Sequence, residues 1–490
     1  MRRATGAIAI LSLCACSMDP HLPVTPLPVP PSWPAGDPYL LQSEAPLPAF
    51  TYRDVFRDPR LQALIVQALA NNRDLRIAAA NIAAARAQVR ITRGNQFPEL
   101  DASGRTTIAG RNAAGGSDSG SGNGNGSGSG SGSSGSSGSG GASLGYNVGF
   151  SIPSFEIDIF GRLASLTRAD QQRLFATEAG ARAIRLALVG DIADTWLAYA
   201  ADSSLLKIAE DTAASAERSV KLTDALRAGG IAPKTDVLQA QQILQTARQD
   251  IAQQRSLRAQ DANLLQLLVG DQVDAANLPR SIEEAAPTIA PLPAGLDSRV
   301  LLRRPDVVQA EFDLRAANAE IGAARAALFP AISLTGLLGL ASSALTGIFS
   351  SGAFNWSASA DVTYPIFRAG AGRARVAQTQ AQRDAALASY EKAIQTAFRE
   401  VSDALADRGT IADRLNAVEA NVSASAETLN LVTARYRGGI DPYLTTLDAQ
   451  RSLYLAQRNR VAVELVEAQN AVALYRALGA DTLIAQAPIG

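Results

Sequence analysis

Hydrophobic and polar positions follow two rhythms along this chain. From Phe354 to Ile366 they alternate, with Phe354, Trp356, Ala358, Ala360, Val362, Tyr364 and Ile366 against Asn355, Ser357, Ser359, Asp361 and Thr363. A period of two belongs to a strand with one apolar and one wet face. Residues 143–152 repeat the pattern, with Leu144, Tyr146, Val148, Phe150 and Ile152 interleaved with small or polar residues. Four strands are predicted, at about 97–110, 143–160, 330–347 and 354–367. They reach the about 9–11 residues that a lipid-crossing strand requires. The same alternation fits a soluble sandwich with one buried face.

The second rhythm is helical and rich in alanine. It predicts helices at about 58–94 and 304–328, two very long ones at about 162–227 and 372–437, and two shorter ones at about 233–268 and 442–478. Asp58 before Pro59, and Arg304 before Pro305 and Asp306, put proline in the first turn and an acid near the positive helix end. The pairs Phe97-Pro98 and Phe329-Pro330 stop helices and start extended chain. At ~1.5 Å per residue the long helices reach roughly 100 Å. The helices at 58–94 and 233–268, stacked end to end, match one long helix in length.

Self-comparison explains the recurrence. Residues 225–270 align without gaps with 434–479, fifteen of the 46 pairs being identical. Gly229-Gly230-Ile231-Ala232-Pro233 pairs with Gly438-Gly439-Ile440-Asp441-Pro442. Each copy ends in a helical hairpin whose glycines supply left-handed termination, with Asp441 expected as the next N-cap. The domains are thus a first repeat at 58–296 and a second at 297–490.

Composition narrows the function. Lys and Arg number 45 against 46 Asp and Glu, a net charge of -1, which gives no footprint for nucleic acid. The only histidine is His21 and the only cysteines are Cys14 and Cys16, so no metal site or catalytic residue is expected. After residue 15 no run of 18 apolar residues occurs, which excludes a bundle of membrane-spanning helices. Arg2, Arg3 and the apolar run from Ala7 to Leu13 read as a signal peptide over 1–15. Leu13-Cys14-Ala15-Cys16 resembles a bacterial lipobox, which implies a covalent lipid such as palmitate on Cys16 as the only non-protein group. Residues 16–57 then form a proline-rich strap. Gly115 to Gly141, all Gly, Ser, Asn and Asp, is expected to be a disordered outer loop.

Four strands are too few to close a barrel, and open sheet edges are intolerable in lipid. Identical chains must share one barrel, and three chains give twelve strands around an aqueous lumen.

Several segments resemble one known family: Leu302-Arg303-Arg304-Pro305-Asp306-Val307, Ala327-Leu328-Phe329-Pro330, the run from Glu156 to Arg162, and the run from Tyr436 to Leu444. These resemble the TolC-like outer-membrane factors, and within them the NodT-type lipoprotein branch. The resemblance implies an α+β membrane protein: a homotrimer with a shared 12-stranded transmembrane β-barrel and a long periplasmic α-helical barrel. It implies a passive efflux channel in the bacterial outer membrane, partnered by a periplasmic membrane-fusion adaptor and an inner-membrane RND-type pump. The adaptor is expected at the hairpin turns, Gly229, Gly230, Gly438 and Gly439.

By the same resemblance Tyr436 matches a gate tyrosine and Asp448 a constricting aspartate, with Leu444 one turn before it. Arg451 is the helical partner that a merely solvated Asp448 would have. Asp236 of the first hairpin belongs to the gate only weakly, because Asp441 stands where some relatives carry a basic locking residue. The alternatives are a lipid-anchored, non-conducting envelope spacer or receptor, the exit duct of a type I secretion system, and an envelope enzyme, for which no acid pair stands out.

Overall fold

The computed structural model describes residues 18–22, 28–30, 32–34, 39, 51–109, 143–290, 298–350 and 352–479. Cys16, most of the strap, the 115–141 loop and the 296/297 boundary lie outside the described residues. The principal helices are α1 (Pro59–Asn71), α2 (Arg73–Gly94), α3 (Arg162–Ala228), α4 (Lys234–Val269), α5 (Pro305–Ala326), α6 (Ala371–Arg437) and α7 (Tyr443–Ala477). The strands are β1 (Asp101–Ala109), β2 (Ser143–Ile157), β3 (Ala331–Ser342) and β4 (Phe354–Thr363). No described helix is long and apolar enough to cross a membrane. The chain divides into two compact units.

The first unit comprises Met1–Pro20, Val89–Arg168 and Ala319–Thr379 and carries the sheet. The order is β1-β2-β3-β4, antiparallel throughout. Tyr146 pairs with both Thr106 and Ser342, and Leu338 with both Phe150 and Trp356, so the apolar positions stack across the sheet. Phe354, Trp356 and Val362 on β4 are 58%, 70% and 66% exposed, so this apolar face is left bare by the described residues. Among the described residues, β1 and β4 each leave one edge without a partner strand.

The acids that precede Phe160, Glu156 and Asp158, build the corner from β2 into α3. Arg162 donates from Nε and Nη2 to both Glu156 oxygens, at 2.9 and 2.5 Å. Asp158 accepts from the Ala164 amide at 2.7 Å, satisfying an orphan donor of the first turn. Gly161 takes φ +73, and Phe160 stacks on Phe329 with centroids 4.8 Å apart.

The second unit comprises His21–Gln88, Ala169–Asn318 and Gln380–Gly490. Its core holds Trp196, Phe56, Tyr475, Leu61, Ile192 and Ile282, all nearly fully buried. Trp196 donates its indole N–H to the Asn277 carbonyl at 3.0 Å, and Phe56 meets Tyr475 edge-on at 5.1 Å. The helix expected over 58–94 is broken at Asn72, and the reason is capping. Asn72 accepts from the Leu75 amide at 3.0 Å and donates to the Leu268 carbonyl at 2.7 Å, so one side chain starts α2 and finishes α4. Gly270 has no Cβ because one would lie 2.7 Å from the Asn71 carbonyl oxygen. Arg304 does the same for the second copy, donating to the Ala477 carbonyl at 2.9 Å while paired with Asp306 and Glu400. Each short helix thus stacks on the one that completes its length, as the lengths predict.

Candidate gate at the hairpin tips

Both hairpins of the second unit turn by the same mechanism. The Ile231 amide bonds to the Leu226 carbonyl and Gly230 to Arg227; Ile440 bonds to Arg435 and Gly439 to Tyr436. These 6→1 and 5→2 bonds form a Schellman ending. Only the second glycine of each pair, Gly230 and Gly439, takes a positive φ, +71 in both. Gly229 and Gly438 remain in ordinary space, with an added Cβ no closer than 3.6 and 3.5 Å to a neighbour.

The side chains on these turns differ. Asp441, expected as the N-cap of α7, is not one: Pro442 occupies that position. Instead Arg435 reaches across the turn to both Asp441 oxygens, at 2.6 and 3.0 Å, and a carboxylate so engaged is not available to the helix amides. The guanidinium holds the Asp441 carboxyl below its ordinary range. In the first hairpin Arg227 pairs within its own helix with Asp224, at 3.1 Å.

Tyr436 is half-buried and packs against buried Tyr443, centroids 5.2 Å apart. Burial pushes both phenols up, and Asp236 lies near enough to raise them further. The structure therefore brings Asp236 of the first hairpin to the tyrosine pair of the second. Beneath them Ala213, Ala216, Ala240, Ile243, Leu244, Ala247 and Leu447 form a small core that joins α3, α4 and α7. Alanine at these positions lets the backbones approach closely.

Leu444 and Asp448 lie one turn apart on the other face of α7, and Arg451 approaches Asp448 at 3.8 Å. Leu444 is 50% exposed and the Asp448 side chain 64%, and Arg451 and Leu455 continue the same exposed stripe. No residue of the described chain covers that stripe. At the aligned positions the first hairpin carries Thr235, Gln239, Gln242 and Thr246, with no charge among them.

One constellation escaped sequence reasoning. Asp250 of α4, its side chain only 11% exposed, accepts from the Tyr454 hydroxyl at 2.5 Å and faces the Arg458 guanidinium at 3.4 Å, both from α7. Burial and the Asp250 charge together push the Tyr454 phenol up. Gln450 adds a weaker link to Ser219 at 3.4 Å. The signal was present only as a difference between the copies: Asp250 aligns with Asn459, Tyr454 with Gln245 and Arg458 with Gln249. Cys16 lies outside the described residues.

Comparison with known proteins agrees with this architecture. The profile described as outer membrane efflux protein matches residues 64–271 and 296–480. The solvent efflux pump outer membrane protein SrpC of Pseudomonas putida is 38% identical over 483 residues, covering 98% of each chain. Outer membrane protein OprJ of Pseudomonas aeruginosa is also 38% identical, over 97% of this chain and 95% of its own. Among solved structures, the open state of the Neisseria gonorrhoeae MtrE outer membrane channel superposes with a TM-score of 0.81 at 32% identity, covering 95% of this chain and 98% of that one.

Proposed function

This chain belongs to the outer membrane efflux protein family, and from that premise we propose how it forms and closes its duct. It is an outer-membrane efflux channel component with the α+β architecture of its TolC-like neighbours. Three copies share one barrel of twelve strands, and the long helices continue it as a periplasmic tube. The observation that carries this reading is the four-stranded sheet with two open edges and an apolar face that the described residues leave bare. In lipid each unpaired edge group costs several kcal/mol, so the edges of β1 and β4 must meet those of neighbouring copies.

The duct narrows where the exposed stripe of α7 faces the axis. Three Leu444 side chains make an apolar ring, and three Asp448 carboxylates one turn on make an anionic one that attracts cations. Arg451 moderates that charge, while Tyr436 and Asp236 join the two hairpins beside it. At both tips an isoleucine stands bare, Ile231 at 76% and Ile440 at 67% exposure, which suits docking of a periplasmic adaptor that links the duct to an inner-membrane RND-type pump. A lipid on Cys16 adds a further hold on the outer membrane, at about 0.8 kcal/mol per buried methylene. The protein conducts passively and carries out no chemistry on its cargo.

Purified protein in planar bilayers tests the reading. We expect a small, cation-preferring conductance from wild type and a several-fold larger one from Asp448→Ala. Protein that never conducts, neither as wild type nor with Leu444 and Asp448 replaced by alanine, argues for the non-conducting spacer. An unchanged conductance in Asp448→Ala removes that residue from the gate.

A further inference from the structure

A socket in the first unit holds the beginning of the strap. Asp19 lies at its centre. One carboxylate oxygen accepts from Arg168 Nε and Nη2, each at 2.8 Å, and the other accepts from the Ser165 hydroxyl at 2.9 Å. Arg168 Nη2 also donates to Ser165 Oγ at 2.9 Å, which closes the triangle. Arg325 of α5 approaches the Met18 carbonyl at 3.4 Å. The floor is Gly322: a Cβ there would lie 1.7 Å from the Asp19 carboxylate and 2.9 Å from Ser165 Oγ. Ser165 is 1% exposed and the Asp19 side chain 19%, so the carboxylate is set into the surface rather than laid on it.

This is more than a surface ion pair. A lone exposed pair contributes ~0–1 kcal/mol, whereas here two guanidinium N–H groups on one oxygen, a buried hydroxyl on the other and a glycine-sized vacancy meet one carboxylate. Its location also matters. Arg168 is six residues into α3, about 9 Å along the helix from the β2 corner. Gly322 is near the end of α5, which leads into β3. The socket therefore lies just beneath the strand ends, below the Phe160–Phe329 stack. Cys16 is three residues from Asp19, a reach of at most about 10 Å.

We propose that Asp19 is the seat of the N-terminal anchor: clamped by Arg168 and Ser165 over Gly322, it fixes the strap to the sheet-bearing unit, so that an acyl group on Cys16 enters lipid beside the strands. The proposal rests on the lipidation of Cys16 for its membrane consequence and on the socket alone for its mechanics. A single acyl chain on a free tether holds a membrane only marginally. With Asp19 seated about 9 Å from the strand ends and Cys16 at most about 10 Å beyond it, the acyl chain acts with the strands as one membrane-binding surface, at high effective concentration. Asp19 is thus a positioning residue with no contact to cargo.

A nitroxide on Met18→Cys tests this in the full-length protein. The leader removes Cys14, and acylation occupies the Cys16 thiol, which leaves residue 18 as the labelled thiol. We expect an immobilised spectrum in otherwise wild-type protein and at least a threefold shorter correlation time in Asp19→Ala. Arg168→Ala and Gly322→Ala should each give the same release, the latter because its methyl expels the carboxylate. Combining Asp19→Ala with Gly322→Ala should add nothing, since both break one interaction. Bilayer conductance of these variants should stay at the wild-type level, which confirms that they fold. A label equally immobile in all variants, or mobile in wild type, overturns the socket. Palmitate incorporation is measured in parallel, together with a non-acylated form made with Cys16→Ser and an ordinary secretory leader. If wild type takes no palmitate while the Asp19-dependent immobilisation persists, the lipid reading fails and the socket stands.

Discussion

The two hairpins share a backbone and differ in chemistry. Helices α3 and α6 are 67 residues each, and the two turns have the same hydrogen bonds and the same positive φ. Yet Arg227 faces Tyr436 in the alignment, Gln239 faces Asp448, and Asp250 faces Asn459. Duplication preserved what the chain direction requires, which is a tight reversal and alanine-lined approach, and released the outward faces to diverge. The result is that contacts between copies can be made of unlike parts. Asp250 from the first copy meets Tyr454 and Arg458 from the second, and the mirrored positions hold Asn459, Gln245 and Gln249.

The largest expected effect comes from removing that inter-copy clasp. Charge-assisted hydrogen bonds contribute about 1.5–3 kcal/mol each, and a partner left behind in a part-buried site loses its compensation. Asp250→Ala should therefore lower the local opening free energy of residues 213–247 and 443–458 by about 2 kcal/mol, read from amide hydrogen exchange. Asn459→Ala, at the mirrored and exposed position, should change it by less than about 0.5 kcal/mol. Equal losses at the two positions would erase the asymmetry on which the comparison depends.

The reverse test asks whether the turns are as alike as they look. An L side chain at φ +71 costs roughly 1–2 kcal/mol, so Gly230→Ala and Gly439→Ala should destabilise their tips by that amount and to the same extent. Gly229→Ala and Gly438→Ala should be near neutral, because their Cβ positions meet only ordinary contacts. Denaturation of the purified protein, followed by exchange at the tip amides, separates the four. A clear difference between Gly230→Ala and Gly439→Ala would mean that side-chain chemistry, such as the Arg435–Asp441 bridge, supports one turn more than the other.

Periodicity, capping residues and the internal repeat were enough to find every long helix and all four strands, because those signals are local and repeated, but the strands end short of the predicted limits, β3 at Ser342 and β4 at Thr363, just before Pro365. The stacking of short helices was legible from their lengths. Its means was not: Asn72 reads as one more polar residue in a helical run until the Leu268 carbonyl is beside it. Asp441 misled for a related reason, since a carboxylate before proline looks like a cap and only the fold shows Arg435 six residues earlier taking both oxygens. Of the residues proposed for the gate, resemblance alone singled out Tyr436 and Asp448; exposure then joined Leu444, Asp448 and Arg451 into one stripe. Asp250 and Asp19 had no local signature, because each depends on partners 204 and 149 positions away.

The smallest effect concerns a carboxyl pair that only the first hairpin carries. Asp202 of α3 and Asp261 of α4 lie against each other, and burial first, then the Asp261 charge, push the Asp202 carboxyl up to about 6. Asp261 is raised as well, by burial. One turn away Arg258 lies over the Tyr199 ring, 5.8 Å from its centroid. The aligned positions in the second copy are Ile411 and Asn470, which do not titrate. Since the folded pKa of Asp202 lies above its unfolded value, the folded state holds a proton between about pH 4 and 6 that the unfolded state has released. Stability therefore falls as pH rises through that window and levels off above it. Two pKa units correspond to about 3 kcal/mol, which solvent screening of a half-exposed pair reduces to about 1 kcal/mol. Acidifying from pH 7.5 to 5, midway through that window, should raise the opening free energy of the first hairpin by about half that amount, about 0.5 kcal/mol, and Asp202→Asn should abolish the gain while leaving the second hairpin unchanged. Asp194, pushed up to about 6 by burial beside Arg476, titrates in the same range, so the quantity to compare is the difference between wild type and Asp202→Asn at each pH. A difference that does not depend on pH would show that the two carboxyls do not share a proton, and with it would go the titrating distinction between the copies.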